Sequence, residues 1–151
     1  YAILILKKFL EEPDGWIENK LNSCLVLSCC YQAMGENAAA FDILFYSFTM
    51  DVPRAEICCE IGRLFMEKRE YVTAEYWYQQ AILAPRKKKN GGFYIADSHD
   101  FIPAIQMCVC LDKAGRHREA FEFHKKARVL KPLHQAVIGN EKYFRDVWGM
   151  E

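Results

Sequence analysis

The sequence predicts an all-α fold: a right-handed array of antiparallel helix pairs with a C-terminal capping helix. Three observations indicate it, namely few chain-breaking residues, abundant apolar residues and an internal repeat. Only 8 Gly and 5 Pro interrupt 151 residues, and hydrophobic residues make up 52% of the chain. This composition favours long helices over many short strands, because strands at short spacing need frequent turn residues.

The internal repeat is the strongest of these observations. Ala40 and Ala74 are 34 residues apart, whereas Ala74 and Ala120 are 46 apart, which is 34 plus an insertion of 12. The same two intervals recur at Ser47, Ala81 and Ala127. A 34-residue period of helix pairs is typical of tetratricopeptide repeats (TPRs). We therefore predict three TPR-type repeats, the third of them displaced by an insertion.

Each predicted element has a place in the chain, which we interpret as one TPR-like domain spanning 1–151. The order is the second helix of a truncated repeat (1–10), a repeat (17–49), a repeat (54–84), an inserted loop (86–100), a repeat (101–132) and a capping helix (134–148). The chain lacks a starting Met and begins inside an apolar pattern. We expect it to be a fragment of a longer protein.

Small residues explain how the two helices of each pair can approach closely. They are Ser28, Gly62 and Cys108 in the first helices, and Ala40, Ala74 and Ala120 in the second helices. Gly35 and Gly115 fall at the turn between helices, where a residue that tolerates positive φ is favoured. Arg69 takes this place in the second repeat, so we expect a turn of different construction there. His124 stands where the repeat usually has an aromatic residue, and we expect it to be packed.

Charge and apolar content exclude two classes of partner. Twenty basic residues balance twenty acidic ones, which argues against a nucleic-acid-binding protein. No segment approaches the roughly 18–20 apolar residues that span a bilayer, so we expect no membrane span.

The seven cysteines are an odd number and include no Cys-x-x-Cys pair. Because free cysteine behaves as a small buried hydrophobe, we favour thiols packed between helices in a reducing cytoplasm. A disulfide framework or a metal cluster is the alternative.

Catalytic motifs are absent from the sequence. It contains no P-loop, no Gly-x-Ser-x-Gly, no His-Glu-x-x-His and no dinucleotide-binding glycine motif. We therefore predict that the chain is not an enzyme, with no catalytic residue, no metal and no cofactor.

The inserted loop is the first candidate binding surface. Cations followed by aromatic residues can hold a phosphate and stack on a base or sugar. The candidate residues are Arg86, Lys87, Lys88, Lys89, Phe93, Tyr94, Asp97 and His99. A solvated charge run with its aromatics folded back onto the repeats is the alternative. Asp97, His99 and Asp100 could ligate a metal, although acids before a helix more often cap its N-terminus.

The concave groove of the array is the second candidate, because the first helices of stacked repeats line one extended surface. Its predicted residues are Asn22, Gln32, Glu56, Arg63, Met66, Ile105 and Asp112, accompanied by Leu25, Cys29, Cys59, Ile102 and Val109. This lining is mixed and rather apolar. It does not have Lys or Arg at several of these positions, as a groove that clamps the carboxylate of an acidic C-terminal peptide would need.

Three segments carry a more specific resemblance. They are 51–58 (DVPRAEIC), Gly92-Phe93 with Asp97 and Phe101-Ile102-Pro103, and 106–115 (QMCVCLDKAG). Together they resemble the C-terminal TPR region of bacterial family-2 glycosyltransferases, and the resemblance covers nearly the whole chain. It implies an N-terminal nucleotide-sugar glycosyltransferase domain in the same protein, whose Asp-x-Asp donor site has no counterpart in this sequence.

The resemblance also implies a role for the repeats. They would be a non-catalytic interaction or assembly domain. Such a domain would either mediate self-association, as in a homo-dimer, or dock a peptide acceptor. The alternative function is a freestanding TPR adaptor that binds a protein or peptide partner.

Overall fold

The structure is a computed structural model that describes residues 1–86 and 94–151. These residues form α1 (Ala2–Glu11), α2 (Ile17–Ala33), α3 (Asn37–Tyr46), α4 (Ala55–Glu67), α5 (Tyr71–Leu83), α6 (Phe101–Lys113), α7 (His117–Leu130) and α8 (Gln135–Trp148). Short 3₁₀ turns occupy Ser47–Thr49 and Ala96–Ser98. No strand occurs in the described ranges, and the predicted all-α array of helix pairs is confirmed.

Consecutive helices pack as pairs. The pairs are α2 with α3, α4 with α5, and α6 with α7, while α1 packs on α2 and α8 packs on α7. The first and second pairs meet through α3 and α4, the second and third pairs meet through α5 and α6, and α4 also contacts α6 directly. Since α2, α4 and α6 are the first helices of their pairs, they line the same face of the array.

Close approach within each pair depends on small side chains, as the sequence predicted. Ala40, Ala74 and Ala120 are completely buried. One close contact lies at Gly62 in α4, where an added Cβ would be only 2.9 Å from Cζ of Tyr78 in α5. Glycine at this position therefore lets the buried Tyr78 ring lie against the helix backbone.

All three turns within the pairs have one construction, so the expectation of a different turn at Arg69 is wrong. Arg69 adopts a φ of 59°, close to 78° at Gly35 and 79° at Gly115. The next residue closes each turn with a backbone hydrogen bond: Glu36 N–H to Tyr31 O (2.9 Å), Glu70 N–H to Phe65 O (3.0 Å) and Arg116 N–H to Leu111 O (2.8 Å). These hydrogen bonds satisfy helix C-terminal carbonyls. The repeat geometry imposes the left-handed conformation on Arg69 in spite of its Cβ.

The capping helix α8 buries Val137 and Phe144 against the third pair. His124 of α7 is also completely buried, between the rings of Phe121 and Phe144, whose centroids lie 5.8 and 5.5 Å from its own. It therefore fills the place of an aromatic core residue, as the sequence indicated.

Five of the seven cysteines are buried, Cys30 is half-buried and Cys29 is exposed; all seven are free thiols. Burial raises the pKa of Cys24 to about 11 and those of Cys58 and Cys108 to about 12. Thiols with such pKa values stay protonated and unreactive near neutral pH. Among the described residues, none of the helices combines the length and apolar character that crossing a bilayer requires.

Candidate binding groove

A cavity of about 330 Å³ opens on the face formed by α2, α4 and α6. We call it the central groove. It is lined by Leu25 and Cys29 of α2, Glu56, Cys59, Glu60 and Arg63 of α4, Ile102 and Gln106 of α6, Tyr78 of α5, and Ile95 and Ser98 of the insertion. Three successive repeats thus contribute to one hollow.

Helical spacing explains why α4 contributes most of the polar groups. Glu56, Glu60, Arg63 and Glu67 follow one another at intervals of three or four residues, which places them on the same side of a helix. The residues between them, such as Ile57 and Ile61, are buried against the second helices. The same amphipathic pattern therefore builds both the core and the groove.

A hydrogen-bonded network joins α2 to α4 at one end of the groove. Gln32 donates from Nε2 to Oε1 of Glu60 (2.9 Å), and Arg63 donates to both oxygens of Glu60 (2.6 and 3.0 Å). Arg63 also donates to Gln32 and to Glu67. Burial opposes ionisation of Glu60, but the hydrogen bonds from Arg63 and Gln32 outweigh it, and the pKa of Glu60 is lowered. Glu60 therefore stays a carboxylate at neutral pH.

The insertion covers the other end of the groove. Ile95 donates its backbone N–H to Oε1 of Glu56 (2.7 Å), and Cys59 Sγ donates to the carbonyl oxygen of Ser98 (3.3 Å). His99 is buried with its Nε2 3.9 Å from Oε1 of Glu56. Burial lowers the pKa of His99 more than the nearby Glu56 raises it. The 94–100 segment is thus a wall of the groove.

The structure disperses the candidate residues of the inserted loop. Arg86 pairs with Asp100 (3.3 Å), Asp97 pairs with Lys131, and the Tyr94 ring lies 4.9 Å from the His99 ring. Asp100 caps α6 by accepting the N–H of Phe101 (2.6 Å), which is the capping role that the sequence analysis favoured over a metal site. Lys87, Lys88, Lys89 and Phe93 lie outside the described residues.

Asp97, His99 and Asp100 point to different partners. In residues 1–86 and 94–151, no three His, Cys, Asp or Glu side chains are arranged to hold a metal ion.

Three predicted groove residues, Gln32, Glu56 and Arg63, lie together at the central groove. Asn22 is exposed near the start of α2. Three others lie elsewhere, and their assignment to the groove is corrected here. Ile105 is in the core against Ala127 and Val137. Met66 contacts Cys110 without a covalent bond, and their sulfur atoms are 3.1 Å apart. Asp112 is hydrogen-bonded to His117 (2.7 Å) and Tyr143 (2.9 Å).

For Ile105 the physical reason is the side of α6 on which it lies. Ile102, Gln106 and Val109 keep the spacing of one helix face, while Ile105 lies on the side that α7 and α8 cover.

Sequence reasoning missed five lining residues: Glu60, Tyr78, Ile95, Ser98 and Gln106. Glu60 and Gln106 could have been found, because each lies four residues after an identified groove position and so on the same helix face. Ile95 and Ser98 belong to a segment without periodicity, which gives no signal of where it packs.

Two comparisons with known proteins returned nothing: no protein-family model matches the sequence, and no curated protein matches it. Among solved structures, the crystal structure of MamA is similar, with a TM-score of 0.65 and 25% sequence identity over 95% of this chain and 78% of that one. MamA is a TPR-type helical-repeat protein. The present chain has a TPR-type fold. Such folds are typically non-catalytic and bind other proteins.

Proposed function

We propose that this chain is a non-catalytic interaction domain that binds a polypeptide segment in the central groove. The observation that carries the proposal is the hollow that three consecutive first helices and the insertion form together in a TPR-type array. Stacked repeats generate concave surfaces of this kind, and extended peptides fit them.

The lining of the groove suits a peptide better than a small polar metabolite. Leu25, Ile102 and Tyr78 offer apolar contact at its base, and Gln106 offers an amide that can both donate and accept hydrogen bonds. Peptide backbones need donors and acceptors, whereas peptide side chains need apolar contact area.

We further propose that the domain belongs to a nucleotide-sugar glycosyltransferase, in which it mediates self-association or docks the acceptor. The support is the resemblance carried by the segments 51–58, 92–103 and 106–115. Determining the sequence that encodes the protein upstream of Tyr1 tests this parentage. An α/β nucleotide-sugar domain with an Asp-x-Asp motif is expected there, and a complete reading frame without one would leave a freestanding adaptor instead.

Filling the groove tests peptide binding directly. Cys29 is exposed on the groove side of α2, so Cys29→Trp places an indole in the hollow without entering the core. Val72→Trp, at an exposed position of α5, is the matched control.

Native protein, Cys29→Trp and Val72→Trp are each presented to a phage-displayed library of random octapeptides. We expect the native chain and Val72→Trp to enrich the same peptides and Cys29→Trp to lose them. Equal enrichment by all three proteins, or by none, would contradict binding in the groove. Sedimentation of the same three proteins then shows whether self-association uses the groove as well.

A further inference from the structure

The geometry points to an extended, basic peptide as the occupant of the central groove: an aliphatic side chain in the hollow beside Ile95, followed within a few residues by a Lys or Arg against Glu60 and Glu67. This inference rests on the proposed function, because it names the chemistry of the segment that the groove would bind.

Charge is the first argument. The face of α4 toward the groove carries three carboxylates, Glu56, Glu60 and Glu67, and one guanidinium, Arg63. His99, whose Nε2 lies 3.9 Å from Oε1 of Glu56, does not offset this charge at neutral pH, because burial lowers its pKa. Among the residues that the structure describes, the groove wall therefore carries more negative than positive charge, which attracts a cationic partner and repels an acidic one.

Hydrogen-bonding capacity is the second argument. Each of the three nitrogens of Arg63 already donates within the network, to Glu60, Glu67 or Gln32. Carboxylate oxygens accept about two hydrogen bonds each, so Glu60 and Glu67 can accept more. The side chain of Glu67 is 60% exposed and can reach an incoming cation. The network therefore has acceptors left for a ligand, whereas its only guanidinium is engaged.

The insertion itself supplies the third argument, because its residue Ile95 lines the groove in an extended backbone conformation. Ile95 has extended backbone angles (φ −116°, ψ 108°), its N–H donates to Glu56, and its side chain lines the hollow. The groove wall thus already holds one aliphatic residue in an extended conformation. Beyond Ile95, the hollow continues between Leu25, Cys29 and Gln106.

Distance along α4 sets the length of the partner. Glu56 and Glu67 are separated by three helical turns, or about 16 Å at 1.5 Å per residue. An extended peptide of about five residues covers that distance. An aliphatic residue near Ile95 and a cation near Glu67 therefore fit on one short segment.

The test characterises the peptides enriched by the octapeptide selection described above. Representative peptides are synthesised and titrated into the native chain by calorimetry at two salt concentrations. We expect Lys or Arg a few residues after an aliphatic residue, and affinity that falls as salt rises, because exposed charge pairs are screened.

Two carboxylate variants locate the cation. Glu67→Gln changes an exposed residue and should fold normally; we expect it to weaken binding about 1.5- to 5-fold, the range for exposed charge pairs. Glu60→Gln should weaken it further. Glu122→Gln, an exposed carboxylate of α7 that pairs with Lys125 three residues away, is the matched control and should bind like the native chain.

The possible failures are distinguishable. Peptides that need an open groove but are acidic or uncharged would overturn this inference and leave the proposed function in place. Basic peptides whose binding is unaffected by Glu67→Gln and Glu60→Gln would overturn the assigned position of the cation. Failure to enrich any peptide that Cys29→Trp excludes would remove both proposals.

Discussion

The second and third repeats share their turn geometry but differ in chemistry at equivalent positions, which are 46 residues apart in the sequence. Both close their turn with the same hydrogen bond, and both bury an alanine, Ala74 or Ala120, at the helix contact. They differ in the N-cap residue immediately before the first helix, in the small residue of the first helix at the helix contact, and in one large core residue of the second helix. The turn and the helix contact are therefore common to both repeats, whereas the side chain at each of these positions depends on the residues that surround it.

The beginning of the first helix shows the largest contrast. In the second repeat, Arg54 is buried and donates two hydrogen bonds to Glu18 of α2 (2.9 and 3.1 Å), and it also bonds to Asp51 (2.6 Å). In the third repeat, the equivalent Asp100 caps its own helix. Arg54 therefore links two repeats through hydrogen bonds, whereas Asp100 accepts a hydrogen bond from a backbone N–H of its own helix.

The largest effect is therefore expected for Arg54→Met. It removes a bidentate partner from the buried carboxylate of Glu18, and breaking a buried pair from one side costs about 3–5 kcal/mol. Asp100→Ala, in the third repeat, should cost about 1 kcal/mol, which is typical of losing an N-cap. The free energy of unfolding of each variant in urea measures both. Equal costs would mean that the Glu18–Arg54 pair does not link the repeats.

The helix contact provides the second prediction. Gly62→Ala should destabilise the chain by about 1–3 kcal/mol, because the new Cβ meets the Tyr78 ring at 2.9 Å and overpacking has costs of that size. The third repeat has Cys108 and His124 at these two positions. The double variant Gly62→Cys with Tyr78→His transplants that combination into the second repeat.

A double-mutant cycle on these two positions checks the interpretation by urea unfolding. The double variant should be more stable than the sum of its single substitutions predicts, because the smaller ring makes room for the thiol. Strict additivity would mean that the two positions do not compensate for each other.

The large core residue provides the third prediction, which concerns pH. Burial lowers the pKa of His124 more than the hydrogen bond and charge of Glu141, 3.3 Å from its Nε2, raise it. Glu141 also accepts from Arg128 (2.7 Å), whose charge further disfavours protonation of the ring. The unfolded chain therefore binds a proton more readily at this residue. The stabilising contribution of neutral His124 is present above the pKa of an unfolded histidine and is lost as pH falls below it.

His124→Tyr, which copies Tyr78, should reduce the loss of stability between about pH 7 and pH 5. His99 also has a lowered pKa, so a smaller pH dependence should remain. His134→Asn changes an exposed histidine, keeps a side-chain acceptor for the N–H of Ala136 at the start of α8, and is the control for simple removal of an imidazole. Unfolding in urea at several pH values decides the matter, and an unchanged pH profile in His124→Tyr would contradict the role given to burial.

Periodicity explains how much the sequence could reveal. The 34-residue spacing placed Ala40, Ala74 and Ala120 at helix contacts, since a regular array repeats its packing demands. The Glu18–Arg54 pair could not be read in this way, because its partners are 36 residues apart and acquire meaning only when α2 and α4 lie side by side. The insertion gave no signal for its packing against Glu56, because contacts of an aperiodic segment depend on the surface that receives it.

The turn of the second repeat is the place where a sound sequence rule gave the wrong answer. Glycine is favoured at a left-handed position because a Cβ is crowded there by about 1–2 kcal/mol. That preference is small compared with the packing that α4 and α5 obtain by keeping their relative position. Arg69 therefore accepts a φ of 59° rather than changing the turn.

The smallest predicted effect follows from this conflict. Arg69→Gly should stabilise the chain by about 0.5–1 kcal/mol, because relief of the crowded Cβ exceeds the extra backbone entropy of glycine in the unfolded chain. Thermal unfolding should show a rise of about 2–4 °C per kcal/mol for a domain of this size.

Gly115→Ala is the reciprocal change in the third repeat and should lower stability by a similar amount, since no other atom lies near the added Cβ and only the backbone conformation opposes it. If Arg69→Gly and Gly115→Ala both lowered stability, the prediction for Arg69 would be wrong. The contacts of the Arg69 side chain would then stabilise the chain by more than the strain of its left-handed backbone costs.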